Sequence, residues 1–178
     1  MSRIAVKDKQ FVLSISEKEI IGSITRIAEK MNQELKDKQP LFICVLNGAF
    51  MFASDLMKQL DFPCEITFIR LKSYEGTLTE GNVKEIQGLV ENVEGRNVVI
   101  VEDIIDTGHT IDNLQKYLLS KKPQSVKIAA LLFKPNALVR DVKPDYVAME
   151  IPNDFIVGYG LDYDGYGRNL KDIYRVEF

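Results

Sequence analysis

Apolar residues recur along the chain with two different spacings, which predict alternating helices and strands. Over 16–37 they follow a helical spacing, and Ser16 with Glu19 matches a capping box, so an amphipathic helix is predicted. Helical spacing returns at 49–60 and 111–122. Apolar runs of strand length occur at 41–46, 64–71, 97–101, 125–133, 145–150 and 155–157. The alternation predicts an α/β protein with a mostly parallel central sheet.

The rest of the pattern concerns one polar stretch and the expected position of ligands. The stretch 73–83 is polar and contains glycine, and 84–90 alternates like a half-buried strand, so a hairpin with a long mobile tip is predicted. No linker or repeat divides the sequence, and 1–178 is interpreted as one domain. Because ligands bind at the carboxyl ends of parallel strands, functional residues are expected after 46, 101 and 133 and within 155–168.

Composition excludes several kinds of protein. The 178 residues include 23 Lys and Arg, 26 Asp and Glu, one His and two Cys, with a formal net charge of −3. This balance disfavours nucleic-acid binding, and one His with two Cys disfavours the usual zinc sites, so any metal is expected to be a hard cation. Cys44 and Cys64 lie in apolar runs and are expected to be buried free thiols rather than a disulfide. With no leader or membrane-spanning run visible, a cytoplasmic protein is predicted.

The segment 98–110 carries the strongest chemical signal. A buried strand leads into the adjacent acids Glu102 and Asp103, and Asp106 then begins the run Asp-Thr-Gly-His-Thr before a helix. The first N–H groups of a helix lack partners and favour an anion, and glycine at 108 allows close approach. The pattern predicts a cradle for a sugar phosphate, with the acid pair binding ribose hydroxyls directly or through Mg²⁺.

Two other interpretations of this segment are weaker. If it were only a capped helix start, Glu102 and Asp103 would be solvated, but adjacent acids after a buried strand repel each other unless something binds them. The triplet Asp-Thr-Gly also occurs in aspartic proteases, which are all-β and pair two such aspartates. This sequence has one such triplet, followed by a helical pattern.

On these residues the segment resembles the 5-phosphoribosyl-1-pyrophosphate (PRPP) motif of type I phosphoribosyltransferases, and among them the hypoxanthine-guanine enzymes. Further segments are similar to that family in the same order: 70–74 to the start of its mobile catalytic loop, 129–134 to its strand ending in a purine-binding lysine, and 143–168 to its purine hood and metal segment. The resemblance implies the type I phosphoribosyltransferase fold, with a hood from the N-terminal segment and residues about 135–178, and a mobile loop at 73–83.

The resemblance also implies an activity and a set of site residues. The activity is purine salvage, in which Mg²⁺-dependent transfer from PRPP to hypoxanthine or guanine gives a nucleoside monophosphate and pyrophosphate. Asp106 would be the catalytic proton acceptor. PRPP and its 5-phosphate would be bound by Glu102, Asp103, Asp106, Thr107, Gly108, His109 and Thr110. The other implied contacts are Asn47, Gly48 and Arg168 for pyrophosphate, Lys134, Phe155, Ile156 and Asp162 for the purine, Ser73 and Tyr74 in the mobile loop, and Glu102, Asp103 and Asp162 for the metal.

Two positions depart from the family pattern. His109 stands where many members carry lysine, and Asn47 stands where the pyrophosphate loop usually carries a basic residue. Each change removes a fixed positive charge, and is expected to affect affinity for PRPP more than the reaction.

Some alternatives stay open at this point. Phe155 lies in an apolar run and fits a core position, and Lys134 before proline fits a surface lysine. A PRPP-binding regulatory protein of the same fold, or a transferase for xanthine or a pyrimidine, would share much of the pattern. The presence of Asp106 and Lys134 favours catalysis on a 6-oxopurine. The resemblance further implies a homodimer or homotetramer with 64–71 near the interface.

Overall fold

The computed structural model describes residues 2–71 and 86–177. Its strands, in chain order, are β1 (Arg3–Val6), β2 (Lys9–Ile15), β3 (Leu41–Leu46), β4 (Glu65–Leu71), β5 (Ile86–Gln87), β6 (Asn97–Ile105), β7 (Ser125–Phe133), β8 (Tyr146–Glu150), β9 (Ile156–Val157) and β10 (Ile173–Val176). Its helices are α1 (Glu17–Leu35), α2 (Phe50–Met57) and α3 (His109–Ser120).

Six strands form the central sheet, in the order β5-β4-β3-β6-β7-β8. Neighbouring strands from β4 to β8 are parallel, and β5 at the edge is antiparallel to β4. β3 and β6 are nearly continuous apolar runs because helices cover both faces of the sheet. α1 and α2 pack on one face and α3 on the other, each side with its own buried cluster. The predicted α/β fold with a mostly parallel sheet is confirmed.

α1 begins at the predicted capping box. The Ser16 hydroxyl accepts a hydrogen bond from the Glu19 N–H at 3.4 Å, and the Glu19 carboxylate accepts one from the Ser16 N–H at 2.9 Å. These bonds satisfy N–H groups that the first turn of a helix leaves without partners. The apolar stripe of α1 then lies fully buried against the sheet and α2.

A second, antiparallel sheet of order β1-β2-β10-β9 joins the two ends of the described chain. Its buried cluster includes Phe11, Val157 and Tyr174. The sequence pattern did not predict β1 and β2, because their short, charged runs are stabilised by pairing with β10, far away in the sequence. This sheet holds the segment 155–168 next to the carboxyl edge of the central sheet.

Several predicted boundaries are corrected by the structure. β6 was predicted to end at 101 but continues to Ile105, so Glu102 and Asp103 lie within the strand rather than after it. α3 starts two residues earlier than predicted and α2 ends before 60. Of the predicted strand 84–90, the structure shows Ile86–Gln87. The predicted mobile loop 73–83, with Ser73 and Tyr74, lies outside the described residues.

Two findings bear on the predicted environment. No helix among residues 2–71 and 86–177 combines the length and the apolar character that crossing a bilayer requires. Both cysteines are free, as predicted, with Cys44 buried and Cys64 half-buried. Burial, reinforced by the nearby acid pair, raises the pKa of Cys44 to about 12, so this thiol is neutral at ordinary pH.

Candidate active site at the carboxyl edge of the central sheet

The carboxyl ends of three neighbouring strands bring most of the predicted residues to one edge of the sheet. β3 ends before Asn47 and Gly48, β6 ends before Asp106, and β7 ends before Lys134. The peptide bond between Leu46 and Asn47 is cis. Because these strands are adjacent and parallel, their following residues share one side of the fold, as expected of a ligand site in such sheets.

Glu102, which is buried, and Asp103, which is half-buried, form an acid pair at this edge. Glu102 is 7% exposed, and its Oε2 atom has no hydrogen-bond partner within the described part of the chain. Asp103 accepts a bond from the Ile104 N–H at 2.7 Å, and its carboxylate fills the space where a Cβ on residue 48 would lie, 1.5 Å from Oδ2. Burial raises the pKa of both carboxyls, and the charge of Asp103 raises that of Glu102 further.

This pair predicts an unusual effect of Glu102→Gln on the ligand-free protein. Its free energy of unfolding at pH 7 is expected to rise by about 1–3 kcal/mol, because the folded protein no longer has to bury a carboxyl group whose pKa it raises. The pKa of Glu102 is higher in the folded state than its ordinary value of 4.5. The free energy of unfolding of the wild type should therefore fall as the pH rises above 4.5. In the variant this contribution is absent, and its advantage should grow from pH 4.5 to 7 in thermal melts. Glu94→Gln, at an exposed position, is the control, and an equal gain there would contradict the assignment.

Residues 106–108 form the loop that leads into α3, and His109 and Thr110 are the first residues of the helix. Gly108 has a left-handed φ of 84° and is the last residue before the helix. Thr107 and Thr110 are exposed, and the Thr107 carbonyl is held by the Val139 N–H at 3.0 Å. Free N–H groups in the first turn of a helix and exposed hydroxyls form a site suited to a monophosphate.

His109 has a partner that the sequence did not indicate. Arg140 Nε donates to His109 Nδ1 at 3.0 Å, so an unprotonated imidazole carries its hydrogen on Nε2. A guanidinium therefore lies beside the first residue of α3. Arg140 belongs to the segment after β7, which no sequence motif singled out.

Asp106 and Lys134 form an ion pair at this edge. Lys134 Nζ donates to Asp106 Oδ2 at 2.9 Å, with the lysine side chain 8% exposed and the aspartate 44% exposed. The register of β6 and β7 produces this contact, since Ile105 lies beside Phe133 and the Lys134 N–H donates to the Ile105 carbonyl at 2.9 Å. Lys134 is therefore not a surface lysine.

Phe155 is an exposed aromatic residue held by two other rings. It is 44% exposed, which disfavours the core interpretation of this position. Its ring lies 6.1 Å from that of Phe11 and 5.6 Å, edge to face, from that of Tyr163. Its carbonyl accepts from the Val176 N–H at 2.9 Å, which ties it to β10, and Ile156 after it is buried. A fixed, exposed ring of this kind offers a stacking surface.

Arg168 and Asp162 form the other side of the site. Arg168 Nη2 pairs with Asp162 Oδ1 at 2.7 Å, and Nη1 donates to the Gly160 carbonyl at 2.7 Å. Asp162 also accepts from the Gly165 N–H at 2.6 Å. Burial raises the pKa of Asp103, and the nearby charge of Arg168 is among the effects that lower it.

The structure does not bring the three predicted metal ligands, Glu102, Asp103 and Asp162, together in one cluster. Within 2–71 and 86–177, no three His, Cys, Asp or Glu side chains come together in a group able to hold a metal ion. Glu102 and Asp103 are adjacent, but Asp162 is not joined to them in such a cluster. A cation at the acid pair would need most of its oxygen ligands from a bound substrate or from water.

Comparison with known proteins identifies a family with this fold. The Phosphoribosyl transferase domain model matches residues 14–164, and the chain belongs to that family. Its relatives include two hypoxanthine-guanine phosphoribosyltransferases. That of Streptococcus thermophilus (strain CNRZ 1066) is 41% identical over 92% of this chain and 91% of its own length, and that of Bacillus subtilis (strain 168) is 43% identical over 89% of each.

Solved structures show the same fold. A hypoxanthine phosphoribosyltransferase from Staphylococcus aureus has a TM-score of 0.86 at 34% identity, covering 93% of this chain and 91% of that one. A variant of the Trypanosoma cruzi enzyme, in a ternary complex with its substrates, has a TM-score of 0.86 at 34% identity, covering 93% and 94%. The predicted type I phosphoribosyltransferase fold is confirmed.

Proposed function

We propose that this protein is a purine-salvage enzyme that transfers the phosphoribosyl group of PRPP to hypoxanthine and guanine. In this reaction the bond from ribose C1 to the pyrophosphate oxygen breaks, and a bond from C1 to a purine ring nitrogen forms. The nitrogen loses its proton to the enzyme, and pyrophosphate leaves with the electron pair. The observation that carries the proposal is the Asp106–Lys134 pair, which puts a proton acceptor and an ammonium donor at the edge that also holds the acid pair.

The phosphate loop and the acid pair would bind the phosphoribosyl part. The 5-phosphate would lie against the first N–H groups of α3 and the exposed hydroxyls, within the set Thr107, Gly108, His109 and Thr110. Glu102 and Asp103 would accept hydrogen bonds from the ribose hydroxyls. This role fits the buried Oε2 of Glu102, which has no partner within the described residues.

The purine would lie between Lys134 and the exposed ring of Phe155. An ammonium has three N–H donors, so the bond to Asp106 leaves two for the exocyclic oxygen of a 6-oxopurine. Phe155 would stack on the purine face, and the backbone of Ile156 would bind the edge of the ring. Asp106, 44% exposed, would take the proton from the ring nitrogen.

Mg²⁺ and pyrophosphate would bind on the other side of the ribose. The Glu102 Oε2 atom has no partner among residues 2–71 and 86–177, and adjacent carboxylates are a donor set that suits a hard cation, so Glu102 and Asp103 fit Mg²⁺. Asp162 would bind a second ion or the purine. When bound, Mg²⁺ supplies positive charge that stabilises the departing pyrophosphate. Asn47, Gly48 and Arg168 would contact pyrophosphate directly.

We also propose that the chain forms a homodimer or homotetramer in the cytoplasm. Phe68 on β4 and Phe50 at the start of α2 are 45% and 40% exposed, and each is an apolar side chain that a second copy would cover. Free thiols at Cys44 and Cys64 suit a reducing compartment. Light scattering on protein eluted from a size-exclusion column tests the oligomeric state. A monomer at micromolar concentration would contradict a homodimer or homotetramer.

The function is tested by incubating the protein with PRPP, Mg²⁺ and one base at a time. We expect nucleoside monophosphate and pyrophosphate in equal amounts from hypoxanthine and guanine, and little product from adenine or uracil. Xanthine tests how the site treats an oxygen at the 2-position. Absence of turnover with every base would reject the enzyme and favour a PRPP-binding regulatory protein.

A further inference from the structure

Arg70 on β4 lies beside the loop that follows β3. The strand register pairs it with Leu46, and its Nη2 atom donates to Asn47 Oδ1 at 2.8 Å. Both side chains are exposed. Among residues 2–71 and 86–177, the bond to Asn47 is the contact that holds this guanidinium, and no carboxylate pairs with it there.

The same loop has a second guanidinium on its other side. A Cβ on residue 160 would lie 2.1 Å from the Gly48 carbonyl oxygen, so Gly160 and Gly48 are in direct backbone contact. Arg168 holds the Gly160 carbonyl at 2.7 Å. The Asn47–Gly48 loop therefore lies between Arg70, anchored on Asn47, and Arg168, anchored on Gly160.

A diphosphate at this loop needs positive charge from neighbouring elements. The loop itself is neutral, and Glu102 and Asp103 next to it are acidic. A guanidinium has five N–H donors in one plane, and a single bond to Asn47 leaves the others for phosphate oxygens. Such bidentate, charge-assisted contacts are among the strongest that a surface arginine forms.

We propose that Arg70 binds the pyrophosphate group of PRPP and supplies the fixed charge that position 47 lacks. A lysine at 47 would set its ammonium against the guanidinium of Arg70. Asparagine instead offers a carbonyl oxygen that holds the guanidinium at the loop. The positive charge thus comes from β4 rather than from the loop, and this inference rests on the proposed function.

Direct titration with Mg²⁺ and inorganic pyrophosphate tests Arg70 separately from turnover. In calorimetry, Arg70→Gln is expected to weaken pyrophosphate binding by about tenfold or more, because a charge-assisted bidentate contact is lost. Inosine monophosphate, which has no pyrophosphate, should bind within about twofold of wild type. Arg96→Gln is the matched control, since Arg96 pairs with Glu65 at the opposite end of β4 and should leave both affinities unchanged.

A second variant separates charge from folding. If a positive charge at position 47 can replace the one at position 70, adding Asn47→Lys to Arg70→Gln should restore most of the pyrophosphate affinity. Unchanged pyrophosphate binding in Arg70→Gln, an equal loss for the monophosphate, no restoration in the double variant, or no pyrophosphate binding by wild type would each overturn the proposal. Wild-type protein that binds pyrophosphate through Arg70 but turns over no base would reject the proposed function instead.

Discussion

Replacing Asp106 with asparagine is expected to lower turnover by about 10²–10⁴-fold, the usual contribution of a general base. The dissociation constant of PRPP should change by less than about threefold, because asparagine has nearly the same shape and lacks the negative charge and the ability to take a proton. Its amide oxygen can still accept the 2.9 Å bond from Lys134, so the lysine should stay in place. The effect should therefore appear in the chemical step.

The experiment compares single-turnover rates with PRPP affinity measured by calorimetry in the same buffer. Asp141→Asn is a suitable control, since Asp141 is exposed on the segment after β7. Equal losses in rate and in PRPP affinity would assign Asp106 to substrate binding and remove it from proton transfer.

Replacing Lys134 with methionine is expected to raise the KM for hypoxanthine by about 30- to 100-fold, because a charged hydrogen bond to the exocyclic oxygen is lost. The KM for PRPP should change little. The preference for hypoxanthine over adenine should shrink, since adenine carries an amino group where hypoxanthine carries that oxygen. Initial rates at varied base and varied PRPP give both constants.

The folded state should tolerate this change. Breaking a buried ion pair is costly when the remaining charge is buried, but Asp106 is 44% exposed and water can solvate it. A melting temperature close to wild type is therefore expected, and Lys143→Met, at an exposed position, controls for loss of a surface charge. An unchanged KM for hypoxanthine in Lys134→Met would contradict the assigned contact.

Local patterns predicted the core elements of the central sheet well. β3 and β7 have the predicted bounds, and α1 begins at its capping box, because apolar runs and caps depend on neighbouring residues. β6 was predicted too short because Glu102 and Asp103 look like loop residues. They stay in the strand because β7 pairs with β6 as far as Ile105, at the cost of burying the Glu102 carboxyl and half-burying that of Asp103.

The side-chain pairs of the candidate site could not be predicted from the sequence. Asp106 meets Lys134, and Asn47 meets Arg70, through the register of neighbouring strands, which the hydrophobic pattern does not specify when both faces of a strand are buried. The contact of Arg140 with His109 depends on an irregular segment without any periodic pattern. The roles assigned to these residues remain predictions.

The second sheet sets the order in which the site can be completed during synthesis. β10, at Ile173–Val176, pairs with both β2 and β9, so the sheet closes only after the ribosome has released the last described strand. Until then Phe155 lacks its bond from Val176, and the N-terminal hairpin lacks its partner. Such distant pairings form slowly. A chain stopped shortly before 173 should therefore keep much of its parallel sheet and yet lack the contact with β10 that fixes Phe155.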